Sequence, residues 1–187
     1  MLSLVTPADP VVTLAEAKRH LRVDHNDDDL HIDSLILATT AWIDGADGWL
    51  GRALGEQEWQ LSVSAFPLRD LKLPLAPLIS VESVSYTDTS GSEITFDNFR
   101  VVGAGTTGPG SIVPSFGYSW PMTGSEPDAV RVAFTAGYGS VPAPIRHAIL
   151  LMVGHYYESR EAVTTEKPDI LPLGVDALLM PYRIWTV

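Results

Sequence analysis

The spacing of apolar residues changes twice along this chain, and that succession limits the folds open to it. Residues 13–50 carry hydrophobics at helical spacing, the segments between 56 and 136 alternate with a period of two, and residues 142–160 return to helical spacing. Helices, then strands, then helices predict an α+β fold, not an alternating doubly wound one. We expect a single domain spanning all 187 residues, with an N-terminal helical pair in 1–54, an antiparallel β block in 55–140, and a C-terminal core helix, short terminal helix and tail in 141–187. A chain of this length can bury a core without disulfides or metal.

The stretch TLAE, Thr13 to Glu16, is a capping box and starts a helix expected to end near Val23, with Leu14, Ala17 and Leu21 inward. Next comes DHNDDDLHID, where Asp24, Asn26 and Asp28 alternate like the first ligands of a calcium loop. The sixth and twelfth positions hold Asp29 and Leu35 instead of glycine and glutamate, so the acidic residues are read as capping a second helix, 28–50. On that helix Leu35, Ala38, Trp42, Ala46 and Trp49 share one sector, flanked by Ile32, Ile36, Ile43 and Leu50, and His31 sits at its edge. Leu37 projects among the acidic residues, either by chance or as a contact with another subunit. Gly45 and Gly48 signal close packing or a frayed helix end.

In the β block, Trp59, Leu61 and Val63 alternate with Gln60, Ser62 and Ser64, and Pro67, Pro74 and Pro77 exclude helix interiors. Asp88-Thr89-Ser90-Gly91 between two strand-like runs predicts a hairpin. GAGTTG, 103–108, matches the glycine pattern of a dinucleotide site, but prolines follow where the phosphate-binding helix must open, so it reads as a loop leading to a strand around Ile112.

The segment PAPIRHAILLMVGHYYESREAV predicts a core helix over 143–160 with Ile145, Ala148, Ile149, Met152 and Tyr156 inward. His147 and His155 are eight residues apart, a rise of about 12 Å, which is too far for one metal. His155 and Glu158 form at most a structural pair. Gly174 precedes a short helix, 175–180, stopped by Pro181. Tyr182, Arg183, Ile184 and Trp185 follow as an aromatic and cationic tail of the kind that anchors protein interfaces.

Composition narrows the function. The net charge of -11 argues against tight binding to a phosphate backbone. The absence of cysteine removes thiolate chemistry and cysteine-ligated metals. No apolar run reaches the roughly 20 residues of a membrane span, so we expect a soluble protein with no membrane partner. No nucleophile with a base and orienting acid emerges, and no catalytic residue, cofactor or metal ligand is assigned.

The succession TLAEAKRHLRVDHNDDD, GRALGEQEW, FPLRDLKLPLAPLISVESVSYTD, VRVAFTAGYG, VPAPIRHAILLMVGHYYESREAV and LPLGVDALLMPYRIW, covering nearly the whole chain, resembles the head-tail connector, or adaptor, family of tailed bacteriophages and gene transfer agents. The resemblance implies a non-enzymatic structural protein of the head-tail neck of a virion or virus-like particle, assembled in the bacterial cytoplasm. It further implies a ring, typically of 12 copies, between the portal protein and a tail or stopper protein, with DNA passing through unbound. An acidic lining suits that passage, because it repels DNA where a basic one would hold it. By the same resemblance, residues 182–187 are expected to be mobile in the free protein and to become ordered against the portal or a neighbouring copy; the alternative is a tail folded over its own core. Tyr182, Arg183, Ile184, Trp185 and Leu37 are therefore the candidate portal or subunit contacts. Two other classes stay open: a hydrolytic or metal-dependent enzyme using His25, His31 or His155 with nearby carboxylates, and a β-rich ligand-binding module using Trp59 or Trp120.

Overall fold

The computed structural model describes residues 1–159 and 173–184. In chain order the elements are β1 (Leu2–Thr6), α1 (Leu14–Leu21), α2 (Asp29–Ile43), β2 (Gln57–Val63), β3 (Leu71–Lys72), β4 (Leu78–Thr87), β5 (Glu93–Thr95), β6 (Phe99–Val102), β7 (Ser111–Pro114), β8 (Val130–Ala136), α3 (Ala143–Glu158) and α4 (Leu173–Leu179), then a 3-10 turn at Met180–Tyr182. The fold is α+β, with helices on either side of an antiparallel β block in sequence. The chain forms two compact units, Met1–Ala8 with Gly55–Gly139, and Asp9–Leu54 with the chain from Ser140.

The first unit holds a five-stranded antiparallel sheet, β1-β2-β8-β4-β5, and a three-stranded sheet, β3-β7-β6. β8 is central because its alternate residues Val130, Val132, Phe134 and Ala136 are all fully buried, and it pairs with β2 on one side and β4 on the other. Strand β1 has no clear alternation and is not legible from periodicity. It is held by pairing with β2 and by the Met1 ammonium, which donates to the Ser62 carbonyl at 2.6 Å. The β4–β5 hairpin forms as its turn chemistry predicts: the Asp88 carboxylate accepts from the Ser90 and Ser92 amides at 2.8 and 2.9 Å. GAGTTG joins β6 to β7, and a strand rather than a helix follows it.

In the second unit the capping box at α1 is complete, with the Glu16 amide donating to Thr13 Oγ1 at 3.3 Å and the Thr13 amide to Glu16 Oε2 at 3.0 Å. The helix ends two residues before Val23. Arg22 adopts a left-handed conformation, φ 59°, and the Val23 amide reaches back to the Lys18 carbonyl at 2.9 Å, a Schellman closure with arginine where glycine is usual.

Helix α2 stops at Ile43, well short of Leu50. Asp44 turns extended, Gly45 takes φ +85°, and the segment folds back so that the Trp49 amide donates to the Trp42 carbonyl at 2.9 Å and the Gly45 amide to the Arg52 carbonyl at 2.6 Å. A side chain on Gly48 would overlap the Asp44 carbonyl, so this glycine serves close backbone approach. The buried stripe is Ile32, Ile36, Thr39 and Ile43, one step round from the expected sector, while Ala38 and Trp42 are exposed. The acidic residues do not cap α2 through their side chains. Asp28 and Asp29 tie helices together instead: Lys18 Nζ donates to Asp29 at 2.6 Å and also to the Asn26 amide oxygen at 2.8 Å, and Tyr157 donates to Asp28 at 2.5 Å.

Helix α3 buries Ile145, Ala148, Ile149, Met152 and Val153. Tyr156, expected inward, is exposed, because the buried stripe swings through Val153 and Tyr157 instead turns toward Asp28. Arg160, the expected helix end, lies outside the described residues. α4 begins before Gly174 and ends at Leu179, and Pro181 lies inside the 3-10 turn.

Candidate functional site

The tail residues Tyr182, Arg183 and Ile184 are seated on the loop that follows α2. The Ile184 amide donates to the Leu50 carbonyl at 2.9 Å, Arg52 Nε donates to the Tyr182 carbonyl, and the Arg183 guanidinium lies 4.4 Å from the Trp49 ring centroid. Trp49 stacks on Trp42, with centroids 6.0 Å apart and ring planes at 24°. The described part of the tail thus folds back on its own unit. Trp185 lies outside the described residues. Arg52, nearly buried, was not singled out from sequence, and the only available signal was an arginine inside the apolar run GRALG.

Leu37 is 64% exposed and points away from the buried stripe of α2. Leu30, 87% exposed, stands two turns before it on the same outward side. The sequence reading missed Leu30, although the seven-residue spacing marks it. In the β unit Leu68 and Phe116 are fully exposed and Met122 nearly so, and Leu68, Arg69, Val102, Val113 and Pro114 line an open depression.

The side chains named for chemistry are scattered. His25 approaches Asp27 at 3.9 Å on the surface, His31 packs on the Tyr157 ring at 6.0 Å, and His155 on Tyr156 at 5.7 Å. His20 faces His147 edge-on at 6.2 Å. Among the described residues no group of three or more His, Cys, Asp or Glu is placed to hold a metal ion. Trp120 is no open platform: its ring stacks on Phe66 at 4.5 Å and its indole N–H donates to the Arg69 carbonyl at 2.6 Å. The Trp59 indole donates to Gln57 at 3.0 Å. Donation from the Thr13 backbone amide holds the Glu16 carboxyl below its ordinary range, helped by the Thr13 hydroxyl and Arg146. Arg131 does the same to Asp128 by a hydrogen bond and its charge.

Exposed apolar side chains, Leu30 and Leu37 on α2 and Leu68 and Phe116 in the β unit, are of the kind found at contacts with other proteins. Comparison with solved structures gives that observation a setting. The chain is 26% identical, with a TM-score of 0.79, to a chain in the neck of an empty GTA particle computed with C6 symmetry. The same values hold against a chain in the virion of a native gene transfer agent particle. The neck of a native GTA particle computed with C12 symmetry gives 25% and 0.73. Each match covers 100% of this chain and 97% of the other. This chain is built like a gene transfer agent neck chain. No protein-family model matches it, and no curated protein does. Among the described residues no helix is long and apolar enough to cross a membrane.

Proposed function

We propose that this chain is a non-enzymatic structural component of the neck of a phage or gene transfer agent particle. In this reading it is an adaptor whose copies, twelve by resemblance, form a ring between the portal protein and a tail or stopper protein. The observation that carries it is the end-to-end likeness to neck chains, 100% of this chain against 97% of theirs. Two surfaces are assigned as contacts with the portal or a neighbouring copy: the tail through Tyr182, Arg183, Ile184 and Trp185, and the outward side of α2 through Leu37. The net charge of -11 suits a ring that DNA passes through without being held. Such a particle component is assembled in the bacterial cytoplasm and retained in the virion.

The test is assembly. Purified chain is mixed with portal rings and imaged by electron microscopy, where one closed ring of adaptor on each portal is the expected result. Chains that stay unattached beside intact portals sink the proposal. Deleting residues 182–187 locates the anchor: loss of attachment assigns it to the tail, and undiminished attachment places it elsewhere.

A further inference from the structure

We infer that the outward side of α2 in one copy receives the outward side of α1 from the next copy in the ring. The inference rests on the ring reading above and names the two faces that build the ring. A cyclic assembly needs two different complementary patches on each chain, because its contacts are heterologous. The helical unit carries such a pair. On α2, Leu30 and Leu37 are exposed along one stripe, exposed Asp33 stands three residues after Leu30, and exposed Asp27 lies in the turn just before the helix.

On α1, Ala15 and Arg19 share one exposed stripe, and Arg22 follows in the left-handed closing position. Neither arginine has an ion-pair partner among the described residues. One face is apolar with an acidic rim and the other small and aliphatic with a basic rim, since arginine stems cover apolar surface while their heads reach for charge. A two-fold pairing of α2 with itself would set acid against acid, so the charge pattern selects the head-to-tail arrangement that a ring uses.

The lack of cysteine in this chain permits a clean test. Full-length Leu37→Cys and Arg19→Cys chains are prepared separately, mixed, assembled on portal rings and oxidised. The expected product is a disulfide-linked heterodimer of the two variants. Homodimers of Leu37→Cys alone overturn the inference in favour of a two-fold contact, and absence of any cross-link in rings that do form places the interface elsewhere while leaving the ring reading intact. Charge reversal supplies the second arm. Arg19→Asp/Arg22→Asp is expected to lose ring formation, as is Asp27→Arg/Asp33→Arg, and the chain carrying all four is expected to regain it. Losses without mutual rescue count against the pairing, and failure of the parent chain to form a ring on the portal removes both readings.

Discussion

The guanidinium of Arg183 lies over the indole of Trp49, 4.4 Å from its centroid, and this contact pins the chain after α4 onto the loop after α2. Two hydrogen bonds from that loop region flank it, one joining Ile184 to Leu50 and one joining Arg52 to Tyr182. At about 1 kcal/mol net for each hydrogen bond and roughly 0.5–1 kcal/mol for the cation-π contact, the seat is worth about 2–3 kcal/mol. Removing residues 182–187 is therefore expected to lower the melting temperature by several degrees as well as to affect attachment. Thermal unfolding followed by circular dichroism measures this, and an unchanged midpoint shows that the seat contributes nothing.

The second expectation concerns the strap between α3 and the start of α2. Tyr157 donates its hydroxyl to the Asp28 carboxylate at 2.5 Å in a part-buried setting. Hydrogen bonds to charged groups are worth about 1.5–3 kcal/mol, and partial exposure favours the low end. Tyr157→Phe is expected to cost about 1.5 kcal/mol in urea unfolding with the m-value unchanged. A cost near zero shows that water replaces the phenol at Asp28 without loss.

What sequence reading recovers here follows from how local each signal is. The capping box at Thr13 and Glu16 and the Asp88 hairpin depend on residues two to four apart, and both appear as read. The α2 boundary fails because the helical period of Ala46 and Trp49 is mimicked by a folded-back loop whose bonds run from residue 49 to 42 and from 45 to 52. β1 is invisible because it is an edge strand, with Leu4 and Val5 both exposed, and an edge needs no clean alternation. The tail residues were identifiable by composition. Their seat was not, since Trp49 and Arg183 are joined only by tertiary packing.

Thr39 offers a test with the opposite sign. Its hydroxyl is buried on the packed face of α2 with no hydrogen-bond partner among the described residues. An unsatisfied buried hydroxyl costs about 1–3 kcal/mol, whereas a methyl group in the same place has no such penalty. Thr39→Val is expected to stabilise the chain by about 1 kcal/mol, read as a higher denaturant midpoint. Destabilisation by the same substitution means that the hydroxyl has a partner in solution.

The last expectation is a pH dependence carried by Glu16. The Thr13 backbone amide, with the Thr13 hydroxyl and Arg146, favours the ionised carboxylate, so its folded pKa lies below the ordinary 4.5. Unfolding returns the group to that ordinary value, and the unfolded chain then binds more protons in the interval between the two. Stability must rise with pH across this interval. The Glu16 contribution is fully present above about pH 4.5 and is lost as the pH falls through the folded value. Asp88, lowered chiefly by the Ser90 hydroxyl, and Asp128, lowered chiefly by Arg131, titrate in the same direction. Some slope therefore survives without Glu16. Glu16→Gln is expected to be less stable than the parent at neutral pH, with the difference shrinking toward strong acid, where both side chains are uncharged. Denaturant melts at several pH values from neutral to strongly acidic check this. A constant gap across the range shows that the substitution disturbs packing or capping geometry rather than removing a favourable charge.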